Sequence, residues 1–172
     1  MAVVVAGSMP WHPGEKKMHD LMRVPPDENP TAPFLTPGGA FLLYHSPLLA
    51  LGTLDKQGRP WTTVWGGEPG FAGPVDESII GVRHVVDKVH DPVVEILLGG
   101  SEAGQTIKEG GDGKLISGLP IDLERRKRVK LEGRMMAASF EKVDTTVDGR
   151  KPSESIAHIQ LVVKITESLG KG

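Results

Sequence analysis

The sequence predicts a mainly β fold, an antiparallel barrel of about six strands and Greek-key type, with two or three short peripheral helices. Glycine (22) and proline (14) are plentiful among the 172 residues, which suits short strands and turns better than a helix bundle. Runs of β-branched and aromatic residues recur between turn-like segments. No heptad pattern or internal repeat is present. We therefore expect one domain with a core of ordinary size.

The start of the chain differs in composition from the rest. Residues 9–37 hold seven prolines among charged and polar residues, which predicts an irregular arm with at most one short helix near residues 14–23. We therefore divide the chain into an N-terminal arm (1–36), a barrel domain (37–168) and a short tail (169–172).

Two segments on either side of a turn predict a β-hairpin. Leu48–Leu54 is a short apolar run, Pro60–Gly66 is rich in strand formers, and residues 55–58 have a turn composition. Further strands are expected at 78–82, 115–121, 126–140 and 156–165, and polar loops at 101–113 and 144–153.

Two short helices are predicted from their caps. Thr36 and Asp91 are each followed by proline, the arrangement of an N-cap with proline at the first helical position. Phe41, Leu42 and Tyr44 would supply the apolar face of the first helix. A pair of glycines would end the second.

Composition and motifs exclude several classes of function. The formal net charge of −2 and the lack of cysteine argue against bulk nucleic-acid binding, a disulfide framework and thiolate chemistry. No membrane span or signal peptide is visible, so we expect a cytoplasmic protein without a membrane partner. The six histidines show no metal-ligand spacing, and no phosphate loop or nucleophile elbow is present. We therefore expect no metal site, and no catalytic residue can be nominated.

A dense block of positive charge covers residues 125–130. In an extended strand, Arg126, Arg128 and Lys130 would share one face, and Val129 would pack on the other. Such a strand could bind an anion, or it could be a charged edge strand that discourages pairing with another sheet. Both interpretations stay open on spacing alone.

The second half of the hairpin carries two tryptophans. Trp61 and Trp65 are predicted to project from one face, with Thr63 between them on the opposite face. The pair could pack in the core or cover a planar ligand. With Arg59 and the basic block, the hairpin could frame a planar, phosphorylated ligand, hydroxyls meeting ring edges and arginines meeting phosphate. Flavin mononucleotide (FMN) fits that specification.

Several runs resemble one known family. Residues 55–61, 67–71 and 121–133 resemble the pyridoxamine 5'-phosphate oxidase-like FMN-binding split-barrel family. Residues 11–15 look like the His-x-Gly-Glu motif that opens its fungal and bacterial branch. The likeness covers most of residues 11–168. That branch usually continues beyond its last strand into an Asn-Cys-Pro-Lys-Tyr segment, so the resemblance predicts a shortened C terminus here.

The resemblance implies a homodimer with FMN in a cleft at the subunit interface, built from the barrel domain. The turn and strand after Arg59 would line the isoalloxazine, and Arg128 stands at a flavin-contacting position where authentic oxidases have glutamine. The candidate cofactor-binding residues are Arg59, Trp61, Thr62, Thr63, Val64, Trp65, Arg83, Arg126, Arg128 and Lys130.

Three functions follow from this set. The first is an FMN-dependent oxidoreductase acting on an unidentified small molecule, in which the flavin performs hydride or electron transfer. The second is a flavin-binding or sensing module without catalysis. The third is single-stranded nucleic-acid binding through residues 125–130, with Trp61 and Trp65 as stacking platforms, which the mildly acidic net charge disfavours. The substrate-binding Arg and His of authentic pyridoxamine phosphate oxidases have no counterpart here, so vitamin B6 oxidation is not expected.

Overall fold

One antiparallel sheet of ten strands and three short helices make up the part of the chain that the computed structural model describes, residues 7–143 and 155–170. Residues 1–6 of the predicted arm, the predicted loop at 144–153 and the last two residues of the predicted tail lie outside it. The mainly β, antiparallel class is confirmed. The strands outnumber the expected six partly because three of them are only two or three residues long.

The strand order places early and late segments of the chain side by side. The path through the sheet is β3-β2-β7-β9-β10-β5-β4, with β1 beside β10, β6 beside β9 and β8 beside β7. The elements are α1 (Pro13–Met22), β1 (Thr31–Ala32), α2 (Pro37–His45), β2 (Leu48–Leu54), β3 (Pro60–Gly66), β4 (Ala72–Asp76), β5 (Ile79–Asp87), α3 (Pro92–Leu98), β6 (Thr106–Lys108), β7 (Leu115–Asp122), β8 (Lys127–Arg128), β9 (Lys130–Lys142) and β10 (Ile156–Leu169).

Strands β5, β7, β9 and β10 are connected as a Greek key. Strands β7, β9 and β10 are successive neighbours, and β10 then lies beside β5, which precedes all three in sequence. The long connection from β5 to β7 carries α3 and β6. Three consecutive strands with a fourth joined through a long connection define this topology, so the predicted Greek-key type is confirmed.

The sheet curls, but no backbone hydrogen bonds join its two end strands into a closed barrel. Strands β3 and β4 stand at the two ends of the strand order. Trp65 of β3 nevertheless stacks on His84 of β5, with 5.7 Å between the ring centroids. Side chains thus bridge a gap that the backbone leaves open, as expected of a split barrel.

Alternation along the long strands fills the single core. Inward and outward residues alternate along β9 and β10 except where the register between the two strands shifts, and the helix α3 packs its apolar side chains against the same core. Gly133 of β9 takes one inward position, because a side chain there would overlap the Lys164 carbonyl oxygen of β10. The core includes Trp65 and Phe140, and the largest side chains without appreciable exposure are Leu43, Leu49, Leu51, Leu97, Met135, Ile159 and Leu161.

The predicted helix caps are in place. The hydroxyl of Thr36 accepts a hydrogen bond from the Gly39 amide at 3.2 Å. The Oδ1 atom of Asp91 accepts hydrogen bonds from the amides of Val93 at 2.9 Å and Val94 at 3.3 Å. The helix expected near residues 14–23 is α1. Among the described residues, no helix has the length and apolarity needed to cross a membrane.

The apolar face predicted for α2 is partly wrong. Leu42 is buried as expected, but Phe41 and Tyr44 are exposed, and Leu43 takes the remaining inward position. The helix packs against β4 and β7 and buries Leu42 and Leu43, whereas the Tyr44 ring covers Gly70 and Gly73 with one edge and stays 48% exposed. Hydrophobicity alone did not distinguish Leu43 from its aromatic neighbours.

The basic block does not form one strand, contrary to the prediction for residues 126–140. Strand β7 ends at Asp122, whose carboxylate accepts hydrogen bonds from the Arg125 amide at 2.9 Å and from its guanidinium at 3.0 Å. These bonds hold residues 123–126 in a turn. Arg126 lies in that turn with a φ of 55° and shares no strand face with the other basic candidates. The chain resumes as β8, breaks for one residue and continues as β9.

Three other predicted boundaries change. The strand expected at 78–82 is β5 and extends to Asp87, and the strand expected at 156–165 is β10 and extends into the predicted tail at Leu169. The loop expected at 101–113 contains the short strand β6, which pairs with β9. In each case a neighbouring strand supplies backbone partners that the local sequence does not reveal.

Candidate functional site

The outer face of the sheet carries a row of small and polar residues that crosses five strands. Thr62 of β3 lies opposite Gly52 of β2, and Gly52 lies opposite Ser117 of β7. Ser117 in turn lies opposite Glu132 of β9, which pairs with Glu167 of β10. The cleft that this row lines receives no residue from the three described helices.

A second row runs beside the first and completes a cleft. Ala50 of β2 lies opposite Leu119 of β7, and Lys130 of β9 lies opposite Leu169 of β10. Thr31 of β1 pairs with Leu169 and forms the rim. Both rows line a cleft of about 420 Å³, a size within the usual range of small-molecule sites.

The floor of this cleft is flat because Gly52 has no side chain. A Cβ atom built at Gly52 would lie 2.6 Å from the hydroxyl oxygen of Ser117. Glycine inside a strand commonly marks a place where another group approaches the backbone closely. Together with Ala50, Gly52 and Ser117 leave a shallow cradle that can accept a planar group.

The charged residues of the cleft lie on its β9–β10 side, where cations and carboxylates occupy adjacent rows. Lys130 and, two residues before it, Arg128 are exposed and belong to the outward-pointing set of the basic block. Glu132 and Glu167 lie opposite one another in the first row, where like charges repel. Among the described residues, none of these four side chains forms an ion pair. An anion is therefore favoured only beside Arg128 and Lys130.

The aromatic hairpin divides its side chains between two faces of β3. Thr62 faces the cleft and Val64 points the same way, whereas Trp61, Thr63 and Trp65 alternate with them. The prediction that Thr63 points away from the tryptophans is wrong, because period two places residues 61, 63 and 65 together. The hairpin therefore cannot present Trp61 and Thr62 to one side of the same ligand.

A single carboxylate holds the inner side of β3 against α3. Asp91 Oδ2 accepts hydrogen bonds from the Thr63 hydroxyl at 2.7 Å and from the Trp65 indole nitrogen at 3.0 Å, while Asp91 Oδ1 caps α3. Trp65 is 3% exposed. It therefore belongs to the core and is not available as the stacking platform that nucleic-acid binding would require.

The contact of Thr63 and Trp65 with Asp91 forms a seam between β3 and α3. His84 of β5 lies on the other face of the Trp65 ring. Its ring stacks on Trp65 and lies 5.6 Å from the ring of Phe71. Burial lowers the pKa of the His84 imidazole below its ordinary value, and the Asp91 carboxylate offsets part of that shift. The neutral imidazole thus suits a packing role between two aromatic rings.

The turn of the hairpin is organised by Asp55 rather than by a ligand. Its carboxylate accepts hydrogen bonds from the Arg59 guanidinium at 2.7 Å and from the Trp61 indole nitrogen at 3.0 Å. Although burial opposes the shift, these bonds and those from the turn amides hold the pKa of the Asp55 carboxyl well below its ordinary value. Arg59 and Trp61 border a separate hollow of about 640 Å³ against α3.

The predicted site residues are thus distributed over several surfaces. Thr62 and Lys130 line the cleft, and Val64 and Arg128 lie on the same outer face. Arg59 and Trp61 border the separate hollow, and Thr63 and Trp65 form the seam. Arg83 is exposed on β5, where it pairs with Gln160, and Arg126 is exposed in the turn.

Sequence reasoning did not identify Gly52, Ser117, Glu132 or Glu167 as parts of one cleft. An isolated glycine in the strand at position 52 was a usable signal. The other three residues carry no local signal, since only pairing among β7, β9 and β10 brings them together. Among the described residues, no group of three His, Cys, Asp or Glu side chains is placed to hold a metal ion.

Comparison with known proteins finds similarity in structure. No protein-family model and no curated protein sequence matches the chain. The chain is similar to a candidate pyridoxamine 5'-phosphate oxidase from Lactobacillus delbrueckii, at 16% identity and a TM-score of 0.47, covering 81% of this chain and 96% of that one. It is also similar to an F420 reductase, at 13% identity and a TM-score of 0.46, covering 77% and 98%.

A third similar structure is the heme storage protein HutZ from Vibrio cholerae. The identity is 15% and the TM-score 0.38, and the match covers 81% of this chain and 92% of HutZ. The candidate oxidase carries the family name that the sequence motifs indicated.

Proposed function

We propose that this chain binds FMN in the cleft on the outer sheet face and acts as a flavin-dependent oxidoreductase on a small molecule. The observation that carries the proposal is the flat floor at Gly52 with Lys130 in the cleft lining, and with the exposed Arg128 two residues before it. A planar ring system with a single phosphate tail has the matching shape and charge distribution. When bound, the flavin would supply hydride or electron transfer, and the protein would supply binding and orientation.

Each group of polar residues at the cleft then has a distinct role. Lys130 and Arg128 would hold the phosphate through charge-assisted hydrogen bonds. The hydroxyls of Thr62 and Ser117 would meet polar edges of the ring, for which they can either donate or accept. The carboxylates of Glu132 and Glu167 would repel the phosphate and so fix the direction in which the ligand lies.

A homodimer is part of the proposal. Val64 is 61% exposed on the outer face, and Leu119 and Leu169 are only partly covered. A second copy that packs on this face would bury these side chains and turn the open cleft into an enclosed one. Removing water from the cleft would strengthen the interactions of Lys130 and Arg128 with phosphate.

The test is a visible absorption spectrum of the purified protein, followed by titration with FMN, a deazaflavin and heme in parallel. We expect tight binding of FMN and weaker binding of the other two. Gly52→Val fills the floor and should raise the Kd for FMN by about tenfold or more, whereas Gly111→Val, in an open loop position, should leave it unchanged. A colourless wild-type protein that fails to bind added FMN would refute the proposal.

A second candidate is a flavin-binding module without catalysis. Among the residues lining the cleft, Lys130, Glu132 and Glu167 are the titratable ones, and no His or Tyr is present for proton transfer. Reduction of bound FMN by NADH or NADPH, followed by turnover with an electron acceptor, would support the oxidoreductase. Flavin that binds but is reduced by neither would favour the module.

A further inference from the structure

Within the described part of the chain, the helix α1 of the arm has one ring contact, between His19 and Trp11 at 4.6 Å between centroids, and buries no side chain. Met18, Leu21 and Met22 are 53%, 70% and 66% exposed. These three positions are spaced by three and one, so they form one apolar stripe. A helix of this length is marginal in water without a packing partner. The stripe therefore identifies a face that needs a surface to cover it.

The helix is nevertheless well capped at its start. The His12 ring accepts a hydrogen bond from the Gly14 amide at 3.2 Å, and the Glu15 carboxylate accepts one from the His12 amide at 2.9 Å. This reciprocal pair is a capping box. The His-x-Gly-Glu motif thus has a structural role, which is to start α1.

The arm leaves the sheet at the rim of the cleft. The Met9 amide donates to the Thr31 carbonyl oxygen at 2.8 Å, and the Asn29 amide group donates to the Pro10 carbonyl oxygen at 3.3 Å. These two bonds join residues 9–10 to residues 29–31, and Thr31 lines the cleft. The arm is therefore a projecting loop with a fixed base, and α1 lies within it.

The cleft offers a surface complementary to α1 in size, polarity and charge. Ten helical residues span about 15 Å, and five adjacent strands span about 19 Å. Leu119 and Leu169 supply apolar surface, and Glu132 and Glu167 lie opposite one another and form no ion pair with any described residue. Lys17 flanks the stripe of α1 beside Leu21 and forms no ion pair among the described residues, whereas Glu15, on the other flank, is engaged in the helix cap.

We infer that α1 of one copy lies across the cleft of a second copy. The apolar stripe covers the leucines, and Lys17 lies near Glu132 and Glu167, which leaves Arg128 free for an anion. The inference rests on the homodimer of the proposed function and adds the partner's arm as the roof of each cleft. Each site is then incomplete without the other chain.

Single-cysteine variants can test this directly, because the chain contains no cysteine. Leu21→Cys and Thr62→Cys chains are mixed and treated with a short bifunctional thiol reagent. We expect a covalent heterodimer in severalfold excess over a control mixture of Leu21→Cys with Val75→Cys, an exposed position on the distant strand β4. Yield equal to that of the control would overturn the inference.

Two further readouts separate the possible outcomes. A chain carrying both Leu21→Cys and Thr62→Cys that cross-links only within itself would also overturn the inference, since α1 would then cover its own cleft. Lys17→Glu should lower the heterodimer yield, and Glu132→Lys on the Thr62→Cys chain should restore it. FMN titration of the wild-type protein is independent of cross-linking, so failure of flavin binding and failure of the arm contact are distinguishable.

Discussion

Replacing Asp91 with alanine tests the seam that joins β3 to α3. The carboxylate accepts four hydrogen bonds, from the Val93 and Val94 amides and from the side chains of Thr63 and Trp65. Loss of the helix cap should cost about 1 kcal/mol. The buried indole N–H that loses its acceptor should cost a further 1 to 3 kcal/mol or so. We therefore expect Asp91→Ala to lower the free energy of unfolding by about 2 to 4 kcal/mol.

Urea unfolding followed by tryptophan fluorescence measures this change, because Trp65 is buried in the seam. Asp91→Asn keeps an acceptor for the cap and should lose less stability. The matched control is Asp87→Ala, since Asp87 also accepts backbone hydrogen bonds, but from the amides of Val89 and His90 in an exposed turn. A free energy of unfolding that falls equally in Asp91→Ala and Asp87→Ala would refute the reasoning.

Three further predictions concern the cations beside the cleft, the core and the pH response. Arg128→Ala should weaken FMN binding by about 1.5 to 3 kcal/mol if the guanidinium makes a charge-assisted contact, and unchanged affinity in a titration would remove Arg128 from the site. Gly133→Ala should cost about 1 to 3 kcal/mol or more in urea unfolding, since its methyl group would overlap the Lys164 carbonyl oxygen; Gly111→Ala, with open space around it, should be neutral, and equal midpoints would contradict the close approach. Burial lowers the pKa of His84 from 6.5, so the unfolded chain binds the proton more readily and stability should fall as the pH drops below about 6.5. Thermal unfolding between pH 7.5 and 5.5 should show that slope, and it should diminish in His84→Phe; an unchanged slope would assign it to other groups.

The sequence by itself determined features that depend on neighbouring residues. The hairpin of Leu48–Leu54 with Pro60–Gly66, the caps at Thr36 and Asp91, and the outward position of Arg128 and Lys130 all follow from turn chemistry, capping and period two. The errors at this level had local causes too. The turn closed by Asp122 displaced Arg126 from the strand, and residue alternation places Thr63 beside the tryptophans.

Only the tertiary structure decided which of these residues meet. Asp91 was predicted as a helix cap. Its second carboxylate oxygen also accepts hydrogen bonds from the side chains of Thr63 and Trp65, because β3 curls back towards α3. Gly52, Ser117 and Glu132 form one row because β2 pairs with β7, which lies far away in sequence, and β7 pairs in turn with β9. Alternation within a strand fixes which face a side chain occupies, whereas the neighbours on that face depend on pairing between distant segments.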